Sequence, residues 1–248
     1  MKKFYRDWCS GRFQSFVVQY RETDLWIGVD EFEPSMPNAV LELLKALYQQ
    51  LLEVGRSSAE FFTSLEPVKI DRGPKIAMKM IEAASFANVG PTAAVAGAFA
   101  DEVGEFLLNK FKCREVVVEN GGDVFIKCEK PLISMIYAGD SPLSGKVGLQ
   151  LPEGTWGVCT SSGKVGHSLS FGNADAVTVV SKSSAIADAF ATAYCNRVKS
   201  KRDVTALLET AINEHVLGVV VIFEDVLGVK GQFKIVFDTD GDEDETGR

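Results

Sequence analysis

An α+β fold, with largely antiparallel sheet packed against helices, is predicted by three features of this 248-residue sequence. Apolar runs of strand length come in adjacent pairs. Helical patterns come in blocks between those pairs. The order strand pair, helices, strand pair occurs twice. Runs of strands and runs of helices, rather than strict alternation, segregate into layers.

Taken in order, residues 13–20 and 25–29 predict a hairpin around Arg21-Glu22-Thr23-Asp24. Ser35-Met36-Pro37 starts a helix, with Pro at an early helical position. Leu41, Leu44, Leu47, Leu51 and Leu52 continue it at helical spacing, and Gly55 is expected to end it. Residues 57–65 add a short helix, and 67–73 connect. Residues 74–86 form the next helix. Val89-Gly90-Pro91-Thr92 opens another, to about Phe111, whose first turns are nearly all small: Ala93, Ala94, Ala96, Gly97, Ala98 and Ala100. So small a helix lets a second backbone or a ligand come close, and its N-terminal amides favour an anion. Strands are predicted at 116–119, 124–128, 132–137, 147–151, 157–159 and 176–180. Helices follow at 183–196 and 203–213, then strands at 217–223, 226–229 and 232–237. The pattern divides into two ββααββ halves, about 1–141 and 146–238, within one domain spanning 1–238. The acidic run from Asp238 to Glu245 makes 239–248 a solvated, disordered tail.

The chain is 46% hydrophobic and 24% charged, the profile of a soluble globular protein. A formal net charge of −8 excludes a broadly basic nucleic-acid surface. No apolar run reaches the roughly 18 residues of a membrane helix. Met1-Lys2-Lys3-Phe4-Tyr5-Arg6-Asp7 runs straight into charge without the apolar core of a secretory signal. Cys9, Cys113, Cys128, Cys159 and Cys195 are odd in number and hold no Cys-x-x-Cys pair, so reduced thiols in a cytoplasmic protein are expected.

Three segments carry the candidate chemistry. Asn120-Gly121-Gly122-Asp123 lies between two strand patterns. It reads either as a tight hairpin turn or as a turn whose bare backbone amides meet a ligand. Thr160-Ser161-Ser162-Gly163, followed by His167 and Ser168, reads as a polar loop or as a hydroxyl-rich binding loop. A Cys159–His167 nucleophile pair is the third reading, weakened because Cys159 ends an apolar strand. Asp188 lies on a helix of Ala185, Ile186, Ala187, Ala189, Phe190, Ala191 and Ala193, where a carboxylate needs a cap, an ion pair or a metal. Thr192 is one turn on, on the same face, so the two offer Mg²⁺ a carboxylate and a hydroxyl. The competing role for Asp188 is to cap the helix starting near Ser183 or Ser184.

In order and spacing these segments resemble the ApbE superfamily of FAD:protein FMN transferases, over roughly residues 89–193. The resemblance implies a duplicated T-fold-type α+β arrangement. It implies Mg²⁺ held by Asp188, Thr192 and the backbone carbonyl of Ala93. It implies FAD or FMN as ligand or substrate, lying against Gly90, Thr92, Asn120, Gly121, Gly122, Asp123, Thr160, Ser161, Ser162, His167 and Ser168. Two departures stand out. Ala96-Gly97 replaces the lysine that precedes the glycine in the transferases, and His167-Ser168-Leu169-Ser170 replaces their Asp-Pro-x-Thr-Gly motif after the histidine. The expectation is thus a flavin-nucleotide protein, with catalytic residues Asp188 and Thr192 if it is an enzyme. It would act in FMN transfer to an acceptor protein or in pyrophosphate cleavage. A non-catalytic binding protein using the same cleft is the alternative, and a homo-oligomer is compatible with either.

Overall fold

The computed structural model describes residues 11–164 and 171–238. Strands β1 (Gln14–Tyr20) and β2 (Thr23–Val29) lead into α1 (Met36–Ser57), α2 (Glu60–Thr63) and α3 (Lys75–Ala87). A 3-10 turn at Pro91–Ala94 precedes α4 (Val95–Lys110), then β3 (Val116–Asn120) and β4 (Asp123–Cys128). Strands β5 (Leu132–Met135), β6 (Val147–Leu151), β7 (Gly154–Ser161) and β8 (Ala176–Ser181) come next. Helices α5 (Ser184–Arg197) and α6 (Lys201–Thr210) and strands β9 (Gly218–Phe223), β10 (Val226–Gly231) and β11 (Lys234–Phe237) complete the described chain.

All sheet pairings are antiparallel, as the fold class predicts. Eight strands form one sheet in the order β1-β2-β3-β4-β7-β8-β9-β10, and three form a second in the order β11-β6-β5. Strand alternation gives the large sheet two apolar faces. Leu25, Ile27, Val116, Val118, Phe125, Cys159, Val177, Val179, Val219 and Val221 face the helices. Trp26, Val117, Ile126, Trp156, Val158, Val180, Val220 and Ile222 face the small sheet. The molecule is therefore three layers: helices, large sheet, small sheet. Hairpin–helices–hairpin occurs as β1-β2…β3-β4 and as β7-β8…β9-β10, with β5 and β6 between. We propose that the two sets descend from one duplicated unit.

Some element boundaries differ from expectation, four of them near the site or its supports, each for a physical reason. The first turn is only Arg21-Glu22, because Tyr20 pairs with Thr23 and Arg21 takes φ 53°, while the Thr23 hydroxyl lies 2.9 Å from that of Tyr48. Helix α1 passes Gly55, because its missing side chain is a seat for the Phe62 ring, whose Cε2 would lie 2.1 Å from an added Cβ. Helix α4 starts at Val95 rather than at the Gly90-Pro91 step, which forms the 3-10 turn instead. Strand β7 runs to Ser161 because it sits inside the sheet between β4 and β8, so Thr160 and Ser161 belong to a strand and not to a loop. The expected tail at 239–248 lies outside the described residues, as do His167 and Ser168.

Candidate functional site

The site forms where the first turn of α4, the β3–β4 turn, the end of β7 and the middle of α5 meet on the helix-facing side of the large sheet. Asn120 pairs with Asp123 across a two-residue Gly121-Gly122 turn. Both glycines have positive φ, 69° and 108°, which side-chain-bearing residues rarely adopt. The turn reading and the ligand reading of this segment are compatible. Around Gly121 an added Cβ would meet nothing within 4 Å, so that side of the turn is open. The turn is fixed from within, since the Gly122 amide donates to Glu119 Oε1 at 2.9 Å and the Thr160 amide donates to the Gly122 carbonyl at 3.2 Å.

Helices α4 and α5 approach until an added Cβ on Gly97 would lie 2.2 Å from the carbonyl oxygen of Ser184. The small residues of α4 thus admit a second backbone. At this closest approach the helices exchange caps. The Ala94 N-cap of α4 has no side-chain cap, and Asp188 of α5 supplies one by accepting from the Gly97 amide at 2.9 Å. In return Asp101 of α4 accepts from the amides of Ser184 (2.9 Å) and Ala185 (3.2 Å) and from the Ser183 hydroxyl (2.7 Å). Ser183 and Asp101 therefore cap α5, and the competing role for Asp188, capping its own helix, is not what the structure shows: Asp188 lies a turn further in. Asn120 ties the turn to the same place by donating to the Ala96 carbonyl at 3.1 Å. Asp101 was not anticipated. Its sequence signal is its place on one face with Gly97 and Gly104, spaced four and three residues apart.

Burial sets the electrostatics. The Asp123 carboxyl is pushed up to about 7, chiefly by burial and further by the Glu119 charge, against the pull of a Cys159 hydrogen bond. Asp188 is raised well above the ordinary carboxylate range, first by burial and then by the charge of Asp123, while the amides of Gly97 and Ala96 pull it down. Cys159 is likewise raised, by burial and then by Asp123 and Asp188. Its Sγ lies 3.2 Å from the Ser184 carbonyl, as a thiol donor would. A neutral thiol beside two acids is a poor nucleophile, which counts against the Cys159–His167 pair. Cys113, Cys128, Cys159 and Cys195 are all buried thiols outside any disulfide.

The other sequence candidates divide. Alternation turns the Thr160 side chain to the opposite face, where its hydroxyl lies 2.8 Å from that of Thr178, so only its backbone borders the turn. Ser161 returns to the helix face, buried, with an Oγ lacking a hydrogen-bond partner among the described residues. Gly90 is covered: an added Cβ would lie 1.9 Å from the Ser64 carbonyl oxygen. Thr92 and Ala93 are half-buried in the 3-10 turn, which packs against α3 and α5. Thr192 is half-buried on the Asp188 face of α5. Among the described residues no group of three or more His, Cys, Asp or Glu is arranged for a metal. A hard cation nevertheless suits what is there: two buried carboxyls, no paired Lys or Arg among the described residues, and an Asp123 Oδ1 without a partner. No described helix is long and apolar enough to cross a membrane.

Comparison with known proteins bears on the family and the fold. The family model described as AbpE bacteria matches residues 6–215. A UPF0280 protein of Methanocaldococcus jannaschii is 43% identical over 190 residues, covering 73% of this chain and 76% of its own. A UPF0280 protein of Methanothermobacter thermautotrophicus is 41% identical over 197 residues, covering 77% of each. Among solved structures, apo flavinyl transferase ApbE of Pseudomonas stutzeri has a TM-score of 0.61 at 14% identity, covering 88% of this chain and 93% of its own. The ApbE protein of Thermotoga maritima has a TM-score of 0.53 at 12% identity, covering 92% and 98%. The chain belongs to the AbpE bacteria family, and its fold is that of the ApbE flavin transferases.

Proposed function

We propose that this member of the AbpE bacteria family binds a flavin nucleotide, FAD or FMN, against the corner formed by the α4 first turn, the open Gly121-Gly122 turn and α5, with Mg²⁺ at Asp188. The observation that carries the reading is the continuous chain of contacts from Asp188 to the Gly97 amide, and from the Ala96 carbonyl through Asn120 to the open glycine turn. It joins a carboxylate, a helix N-terminus and exposed backbone at one place, which suits a phosphorylated ligand with its cation.

Asp188, Thr192 and the Ala93 carbonyl are the groups we assign to the cation. When bound, Mg²⁺ supplies charge neutralisation and polarisation at a phosphate oxygen. The protein's own part is positioning. The exchange of caps locks α4 to α5, so the Asp188 carboxylate cannot drift from the helix end. The Gly121-Gly122 turn leaves room for a ring or phosphate. Burial of Asp123 and Asp188 keeps water scarce, which strengthens charge interactions. FMN transfer from FAD to an acceptor protein, or cleavage of the pyrophosphate, is the chemistry this arrangement would serve. We place the protein in the cytoplasm, because its described cysteines form no disulfide. A second reading, a binding protein without catalysis, is favoured by Ala96, which brings no positive charge to the flavin phosphates.

The test is incubation of purified protein with FAD and Mg²⁺, followed by chromatography of the nucleotides and intact-mass analysis of a candidate acceptor. Release of AMP, with FMN either free or added to the acceptor, supports the enzyme. Saturable FAD binding with no product selects the binding protein. No FAD binding refutes both.

A further inference from the structure

We infer that Asp123 is a second carboxylate ligand of the cation site, with the Ser161 hydroxyl beside it, so that the chain can hold a divalent cation before any nucleotide arrives. The inference rests on the reading of Asp188 as a cation ligand and extends it to two residues otherwise assigned to the flavin.

Register fixes the placement. Asp123 is opposite Cys159 in the β4–β7 pairing, so their side chains are neighbours on one face. Cys159 packs with the helix-facing core and meets the Ser184 carbonyl at the start of α5. Asp123 therefore points toward α5, whose next turn carries Asp188. Ser161, two residues beyond Cys159, returns to the same face. Asn120, opposite Asp123 across the glycine turn, reaches the α4 first turn that also binds Asp188. Five elements thus bring the two carboxyls and the hydroxyl to one corner.

The corner is short of partners. Asp123 is 8% exposed and Ser161 7%, yet Asp123 Oδ1 and Ser161 Oγ have no hydrogen-bond partner among the described residues. Buried oxygens left unmet in this way are destabilising, so a ligand that satisfies them is favoured. The nearby cations are committed elsewhere. Lys164 pairs with Asp175 at 2.9 Å, and Lys79 pairs with Glu102 at 2.7 Å and Glu105 at 3.0 Å. Unmet carboxylate and hydroxyl oxygens beside a second carboxyl are the donor set of a hard divalent cation, which takes its remaining ligands from water and phosphate.

Mn²⁺ serves as the probe, titrated into chelator-treated full-length protein without nucleotide and read as free Mn²⁺ by electron paramagnetic resonance. The expectation is one Mn²⁺ per wild-type chain. Asp123→Asn and Asp188→Asn should each weaken it about tenfold or more, and Ser161→Ala by roughly threefold, as loss of a charged or neutral oxygen ligand implies. Thermal melts report folding of each variant. Wild type that takes Mn²⁺ only with FAD present overturns the inference while leaving the proposed function standing. Nucleotide-free binding that Asp123→Asn leaves unchanged also overturns it. No Mn²⁺ binding with or without FAD removes both. The nucleotide-free stoichiometry is read on wild type, so a variant that fails to fold does not shield the inference.

Discussion

Gly97→Ala tests the α4–α5 contact on which the site depends. Helix propensity alone predicts that alanine in a helix stabilises by about 1 kcal/mol relative to glycine. The structure predicts the reverse sign. An added Cβ would stand 2.2 Å from the Ser184 oxygen, 2.5 Å from its carbon and 2.9 Å from the Ala185 nitrogen. These are backbone atoms at the capped start of α5, so relief requires the helices to part. Overpacking of this kind costs about 1–3 kcal/mol. Parting the helices also stretches the Gly97–Asp188 bond, worth about 0.5–1.5 kcal/mol for the neutral acid that burial favours. Less the propensity gain, the net is destabilisation by about 0.5–3.5 kcal/mol. Urea unfolding followed by tryptophan fluorescence measures it. Gly55→Ala is the control: its added Cβ meets only the ring of Phe62, a residue 41% exposed that can swing aside, so its cost should stay within about 1 kcal/mol. Gly97→Ala at or above wild-type stability would refute the reasoning, because the close contact would then carry no energy.

Asp101→Ala should destabilise by about 2–4 kcal/mol in the same assay, since it removes the acceptor of two α5 amides and the Ser183 hydroxyl; a loss below about 0.5 kcal/mol would mean that Ser183 caps α5 unaided. For Asp123, raised to about 7 from an ordinary 3.8, the neutral form belongs to the fold. Its contribution is fully present below the unfolded value and is lost as pH rises through about 7, by at most on the order of 4 kcal/mol. The metal-free melting temperature, compared at about pH 5 and about pH 8, should therefore fall more for wild type than for Asp123→Asn; equal falls contradict the assignment. Cys159→Ser should keep flavin binding and any activity within a few-fold, and native Cys159 should resist iodoacetamide. Fast alkylation, or complete loss of activity with the fold intact, would bring the Cys159–His167 pair forward.

The strand pairs, the helix blocks and the Asn120–Asp123 turn were legible because each rests on local signals: apolar periodicity and a glycine pair requiring positive φ. Boundaries set by tertiary contacts were not. Gly55 resembles a helix stop, yet its bare Cα receives Phe62. Thr160 and Ser161 resemble a polar loop because their hydroxyls lie in the centre of a sheet, where Thr160 finds Thr178 and Ser161 faces the helices. The apolar pattern starts α6 at Asp203, but Ser200 and Asp203 form a capping box that begins the helix at Lys201. Asp188 was singled out correctly as a buried acid, but its partner, the Gly97 amide 91 residues away, had no local signal. Asp101 sits beside Glu102 and reads as part of a solvated charged face, though it is 3% exposed.

The central claim is that Asp188 holds a cation that joins a flavin nucleotide to this corner of the fold. Calorimetric titration of Mg²⁺ with FAD or FMN into wild type and Asp188→Asn tests it most directly, with thermal melts of the metal-free proteins alongside. The account predicts Mg²⁺-dependent flavin binding by wild type, its loss in Asp188→Asn, and metal-free melting temperatures that stay close. Identical titrations for the two proteins would contradict it.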